Sequence, residues 1–336
     1  MTTARLVPVT TEMDGEELDA EDAWHLARRH GLKKIVVESF VRFRYGDGFT
    51  NSRALALQAA LAVVPFLLAV TGLAADIDED QPAVVVALTV DAVTPGGGDE
   101  DALVRAVTQG SEVPGELALV LGLVLALITM TTAMAQVERG ANRIYGIRRD
   151  RPAVAKYGRA AVFTAVLAVP VGLGFMLLVA GGAFADAMVQ EYGWSETTED
   201  LFDVARWPVG LVLLVVAIAV LLNHAPRRRQ PALSWLALGA GVAVLVSMVA
   251  AAGLALYVEV GGSFDDTYGP LAGIIALLLW SLLSSMGLFY GVAVCAQLEA
   301  LRAGDEEPAL DDPGRPHHTS VATTEDAEDA REAEAR

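Results

Sequence analysis

The chain has 336 residues, 54% of them hydrophobic, and a mean hydropathy of +0.44, above the roughly 45 to 50% apolar content of soluble domains. Its 42 acidic and 24 basic residues leave a formal charge of -18, but the two signs are segregated along the chain, so the net value does not argue against a membrane. A single cysteine, Cys295, excludes an intrachain disulfide and a cysteine-based zinc site.

Residues 1–22 are acidic, with Glu12, Asp14, Glu16, Glu17 and Asp19 among few large apolar groups. Such a segment buries too little surface to offset chain entropy, which predicts a disordered tail. It has no basic stretch followed by a short apolar one, so no cleavable signal peptide is expected. Residues 23–52 change character. Ile35, Val36, Ser39, Phe40 and Phe43 fall near helical spacing, flanked by Lys33, Lys34, Arg42 and Arg44. That pattern predicts an amphipathic helix, and it fits both a helix lying on membrane headgroups and one packed on a bundle.

Residues 53–302 hold six apolar runs, each long enough to cross a hydrocarbon core about 30 Å thick. They cover 53–75 (containing Pro65), 116–137, 159–188 (containing Pro170), 207–222, 232–258 and 270–298. Each run is too long for a barrel strand of about 10 residues and lacks alternation. The predicted class is therefore all-α, a polytopic bundle of six transmembrane helices preceded by the amphipathic helix. Between the first two spans, residues 82–93 are apolar but too short to cross, and Gly96, Gly97 and Gly98 follow. A short helix or re-entrant segment is expected there. The last segment, 303–336, is rich in Asp, Glu, Ala and Pro and is read as a second disordered acidic tail.

Basic residues fix the orientation. Arg28, Arg29, Lys33, Lys34, Arg42, Arg44 and Arg53 precede the first span, seven more lie between Arg139 and Arg159, and Arg227, Arg228 and Arg229 follow the fourth. The intervening loops hold only Arg105 and Arg206 among many carboxylates. The positive-inside rule then places both termini in the cytoplasm.

No catalytic constellation is visible, so the chain is expected not to be an enzyme and to need no metal or cofactor. The middle of every span lacks an ionisable residue. Glu138, Arg139, Asp186, Glu259 and Glu299 fall near helix ends, where side chains are expected to reach water. The polar groups inside are neutral: Gln58, Thr129, Thr131, Thr132, Gln136, Ser247, Ser281, Ser284 and Ser285. They read either as helix adhesive or as the lining of a path. The path reading takes Pro65 as a kink, Gln58, Gln136 and Asn142 as a groove opening inward, Tyr268 and Gly269 as the entry to the sixth helix from the opposite face, and Trp280 as a wall at mid-depth. Gly287 and Gly291 form a GxxxG match that marks close helix packing.

The six-span layout combines with Ala141-Asn142-Arg143-Ile144-Tyr145-Gly146 at the end of the second span. Tyr268-Gly269-Pro270-Leu271, Leu277-Leu278-Leu279-Trp280 and Ala296-Gln297-Leu298 mark the sixth. Together these resemble the YihY/BrkB family of bacterial inner-membrane proteins, including its YhjD branch, over roughly residues 33–302. Departures occur at Leu57, Gln58 and Ala62 before Pro65, and at Cys295-Ala296-Gln297-Leu298-Glu299, where the family commonly reads Gly-Ala-Glu-Leu-Asn. The resemblance implies the fold and suggests envelope or lipid-related transport, an association with virulence and serum resistance, and an old ribonuclease label. The ribonuclease reading fails because the basic loops bring neither a carboxylate cluster nor a His pair. Two functions follow: a transporter or lipid flippase without a buried ionisable relay, or a non-transporting structural or interaction protein of the envelope. Expected partners are membrane lipids and a lipid or small-solute substrate, without nucleic acid; a homo-oligomer is left open.

Overall fold

A computed structural model describes residues 3–9, 12–13, 16–76, 115–261 and 271–310. The expected re-entrant segment after the first span, Tyr268, Gly269 and residues 311–336 lie outside the described residues. Helix dominates: α1 Ala20–His30, α2 Leu32–Tyr45, α3 Gly48–Asp76, α4 Gly115–Ile144, α5 Ala153–Phe175, α6 Gly181–Tyr192, α7 Glu196–His224, α8 Leu233–Gly261 and α9 Ala272–Arg302. Two two-residue strands, Glu12–Met13 and Glu16–Glu17, pair antiparallel ahead of α1. One π-helical turn, Met176–Ala180, joins α5 to α6, so the third span runs from Ala153 to Tyr192. Among the described residues, six helical spans are long and apolar enough to cross a membrane.

The spans exceed the apolar runs because polar turns continue the helices beyond the hydrocarbon. Ser195 caps α7 with its hydroxyl on the Thr198 N–H, and Glu196 and Glu199 complement the positive helix start, so α7 begins a full three turns before Trp207. Pro65, Pro170 and Pro208 sit inside α3, α5 and α7, where each removes one ladder hydrogen bond.

Successive spans pack side by side, α3 on α4, α4 on α5, α5 on α7, α7 on α8, α8 on α9 and α9 back on α3, closing a ring. Small residues set the tightest seams. A Cβ at Gly122 of α4 would lie 2.4 Å from the Ala69 nitrogen of α3, and one at Gly291 of α9 would lie 2.4 Å from the Gly239 carbonyl oxygen of α8. Gly287 meets Ser247 and Ala243 of the same helix. The glycine pair of α9 is thus a helix-packing device.

Toward one end α3 and α4 touch closely at Ala69 and Gly122, but among the described residues only the opposite end is closed by buried charge. We call the closed end the base; it collects the starts of α3, α5 and α8, the ends of α4, α7 and α9, and both described terminal segments. Every residue of α9 from Gly291 to Leu301 is buried. Toward the other end much of the helix surface is exposed. Leu123, Val124 and Leu125 of α4 are 54, 50 and 46% exposed, and successive helical positions 100° apart sweep more than half the circumference. The same holds for Val171 to Leu173 of α5 and Ala255 to Tyr257 of α8.

The base corrects two expectations. Residues 3–9 of the supposed disordered tail form an extended strap across it, with Thr3 donating to the Tyr45 carbonyl, Arg5 to Pro308, and Val7 to Tyr145. Residues 303–310 of the other tail are ordered beside it, through an Ala4–Ala309 bridge and Arg5 ion pairs to Asp305 and Glu307. The strap crosses where α4 ends at Gly146 (φ 77°), so closely that a Cβ there would lie 2.6 Å from Leu6 Cα. The 23–52 region is not one helix. Asp19 caps α1 through a capping box, Gly31 (φ 84°) ends it, and α2 then packs on α9, burying Ile35, Ser39, Arg42 and Phe43 while Val36, Val37 and Phe40 stay exposed.

Candidate functional site

Among the described residues, the buried charged side chains, Arg42, Glu138, Lys156 and Glu299, lie at the base. Glu299, one turn from the end of α9, is fully buried. Its carboxylate receives the Tyr145 hydroxyl at 2.9 Å and pairs with the Arg228 guanidinium. Arg228 comes from the turn between α7 and α8, lies 4.7 Å over the Tyr145 ring, and also donates to the Val7 and Pro8 carbonyls of the strap. The same tyrosine hydroxyl lies 3.1 Å from Gln230 Oε1. This corrects the expectation that Glu299 and Glu138 reach water: a helix end here is covered by loops and strap, so both carboxylates are enclosed and must be paired.

Arg42 of α2 enters beside this group. Its Nε donates to Gln297 Oε1 at 2.7 Å and one terminal nitrogen to the Arg5 carbonyl at 2.9 Å, while the other has no partner. Burial pulls the guanidinium down to about 10, with the Asp305 carboxylate pulling the other way; it stays charged at neutral pH. Burial, with Glu299 close by, holds the Tyr145 phenol well above its ordinary value.

A second cluster lies under the α4–α5 turn. Asp150 receives Asn142 Nδ2 at 3.1 Å and pairs with Lys156 at 3.4 Å and Arg139 at 3.3 Å. Burial alone would raise its carboxyl, but the Asn142 hydrogen bond and the Lys156 and Arg143 charges outweigh that and hold it below the usual carboxylate value. Glu138 pairs with Arg151 at 3.0 Å, and Arg151 also donates to the Ala225 and Pro226 carbonyls at the end of α7.

The residues proposed for a path are not gathered into one groove by direct bonds. Gln136 Nε2 donates to Asn51 Oδ1 at 2.9 Å, two turns along α3 from Gln58. Asn142 bridges Asp150 and the Arg227 backbone N–H, the latter at 2.7 Å. Gln58 Oε1 is buried without a hydrogen-bond partner, as are Thr164 Oγ1, Ser281 Oγ and Ser284 Oγ. Pro65 is buried. Trp280 stacks edge-on with Phe175 at 5.7 Å, joining α9 to the third span. Among the described residues, no three His, Cys, Asp or Glu side chains group as metal ligands would.

A recess of about 260 Å³, including open solvent, lies between α4, α5 and α7 at the base; Met134, Glu138, Arg159, Phe163 and His224 are among its lining. Sequence reasoning did not find it. The available signal was the pairing of an arginine and an aromatic four residues apart on one helix with a histidine closing another.

Residues 39–315 match the family described as Virulence factor BrkB. The chain belongs to the BrkB family. Over 275 residues it is 23% identical to the ribonuclease-like protein YfkH of Bacillus subtilis, covering 81% of this chain and 98% of that one. A UPF0761 membrane protein of Chromohalobacter salexigens is 27% identical over 273 residues, 80% of this chain and 64% of that one. One from Pseudomonas aeruginosa is 30% identical over 188 residues, 54% of this chain and 42% of that one. The chain thus spans less than two thirds of the length of those two UPF0761 proteins. No solved structure matches it. Within the BrkB family region, 39–315, lie all six spans and the buried charges Arg42, Glu138, Lys156 and Glu299.

Proposed function

We propose that this BrkB-family chain moves an amphipathic envelope component, a lipid or a small solute, across the bacterial inner membrane, with the base and both termini in the cytoplasm and without enzymatic chemistry. The observation that carries the reading is the uneven ring: six spans sealed at the base by paired charges, with exposed apolar surface and unpartnered neutral oxygens farther along. Apolar walls of Leu and Val with a few unpartnered neutral oxygens, those of Gln58, Ser281 and Ser284, suit a molecule with a long apolar part and a hydrogen-bonding part. Glu138, Asp150 and Glu299 are each ion-paired, so the reading assigns them structural roles and no hydrolytic one. A second reading, a non-transporting envelope scaffold, is favoured by the use of Gln136 and Asn142 in helix–helix and loop hydrogen bonds.

The two are separated by reconstitution. Liposomes containing the protein and headgroup-labelled fluorescent lipids are expected to lose about twice the outer-leaflet fraction of signal on adding an impermeant quencher if lipid crosses, and only the outer fraction if the scaffold reading holds. Gln58→Leu is expected to fold normally, because its oxygen has no partner to lose and a single hydrogen bond is in any case about 1 kcal/mol, and to slow transport. Equal transport rates for Gln58→Leu and the parent would remove Gln58 from the path.

Orientation has its own test. In a Cys295→Ala background, a membrane-impermeant thiol reagent applied to intact cells is expected to label Ser195→Cys, which begins α7 at the end away from the base, and to leave exposed Arg229→Cys at the base unlabelled. The reverse pattern would invert the topology.

A further inference from the structure

We infer that the recess between α4, α5 and α7 is a binding site for the phosphate of a single membrane phospholipid, whose acyl chains run up the adjoining apolar stripes of the same three helices.

The recess is built as an anion seat. Arg159 is exposed and lies 5.5 Å from the Phe163 ring, which in turn stacks 4.7 Å from His224, the last residue of α7. The carboxylate at the back, Glu138, is already paired with Arg151 at 3.0 Å, so it does not cancel the charge of Arg159. His224 Nδ1 lies 2.9 Å from the Val220 carbonyl and donates to it; Nε2 is then free to accept from a headgroup hydroxyl or ammonium. A guanidinium beside an aromatic face, at a helix end next to the hydrocarbon, matches a phosphodiester in charge and in donor geometry.

The surroundings distinguish a lipid from a free anion. On α5, Val162, Val166 and Val169 are exposed and follow Arg159 at helical spacing on one face. On α7, Val216, Val212 and Val209 are exposed in the same sense above His224, and on α4, Met130, Leu127 and Leu123 above Met134. From Arg159 to Val169 is ten residues, about 15 Å of helix rise, which is about half of a hydrocarbon core about 30 Å thick. One leaflet's acyl chains fit that length. A soluble phosphate would use none of it.

The site deepens the transport reading by placing a phospholipid where the ring is sealed, but its test does not depend on transport. Delipidated full-length protein in detergent is titrated with dioleoylphosphatidylglycerol and bound lipid is counted by native mass spectrometry, with dioleoylglycerol and inorganic phosphate as the other arms. The parent is expected to bind one phosphatidylglycerol well above dioleoylglycerol, and inorganic phosphate is expected not to compete. Arg159→Gln is expected to weaken that first binding step about tenfold or more, the loss of one charge-assisted contact, and Arg159→Lys to recover part of it. Arg149→Gln, an exposed basic residue in the same loop region, is expected to leave it unchanged. Equal losses for Arg159→Gln and Arg149→Gln, or equal binding of dioleoylglycerol, would overturn the site in favour of ordinary annular lipid. Competition by inorganic phosphate at the lipid's own concentration would overturn the lipid as its occupant. A parent that binds as expected but moves no lipid in liposomes would overturn lipid as the transported molecule and leave this site standing.

Discussion

Arg228→Ala is expected to be the most damaging single change at the base, lowering the free energy of unfolding by about 3–5 kcal/mol. Glu299 is fully buried and the Arg228 side chain is 5% exposed, so truncating the arginine leaves an enclosed carboxylate with only the Tyr145 hydroxyl as partner. The strap loses two hydrogen bonds at the same time, those to Val7 and Pro8. Thermal unfolding in detergent, followed by intrinsic fluorescence, is expected to show a large drop in midpoint. The double replacement Arg228→Leu with Glu299→Leu is expected to recover most of it, since an apolar pair of similar volume avoids the desolvation cost of both ions. A single mutant as stable as the parent would show that the pair contributes nothing, and a double mutant worse than either single would show that the charges themselves hold the base together.

The second large effect is expected at the α8–α9 seam. Gly291→Leu places a Cβ 2.4 Å from the Gly239 carbonyl oxygen and 2.9 Å from Ala243 Cβ, and backbone atoms cannot swing aside as the end of a side chain can. The two helices must separate or rotate, and buried Phe289, Val292, Cys295 and Ala296 go with them. Loss of the monodisperse peak in detergent and degradation in the cell are the expected readouts. Gly241→Leu, on the same helix as Gly239 but with nothing within 4 Å of a built Cβ, is expected to assemble normally. If the two variants behave alike, close approach at Gly291 is not what holds α8 to α9.

The spans were legible because crossing a bilayer demands length, and a run of some twenty apolar residues is a long-range statement made locally. Close packing at Gly287 and Gly291 was legible for a similar reason, since their spacing puts both on one helix face. The base was not. Arg42, Tyr145, Arg228 and Glu299 lie on four different segments, and each has a sufficient local explanation: the arginines as markers of a cytoplasmic loop, the glutamate as a helix end within reach of water. Only the folded chain brings them together and covers them. The terminal segments failed for the converse reason. Composition measures what a segment can bury by itself, while residues 3–9 are held by carbonyl and amide groups supplied from elsewhere in the chain, which composition does not record. Gln136 and Asn142 were read as partners for Gln58 in an inward groove, while the groups they bond, Asn51 and Asp150, are ordinary residues of a helix start and a loop that nothing local singles out.

The distribution of the buried charges along the chain also constrains its biosynthesis. Arg42 leaves the ribosome first, Tyr145 follows about a hundred residues later, and Glu299 emerges only with the last helix. Until α9 has inserted, Arg42 lacks Gln297, Arg228 lacks its carboxylate, and the strap lacks Pro308 and Thr3 lacks Leu310. The earlier five spans can each enter the bilayer on their own hydrophobicity, and Thr3 and Val7 already have Tyr45 and Tyr145 to bond, but Glu299 and Gln297 are not yet there to meet Arg228 and Arg42. Closure of the base over its charges thereby waits for the sixth span, the last to be made.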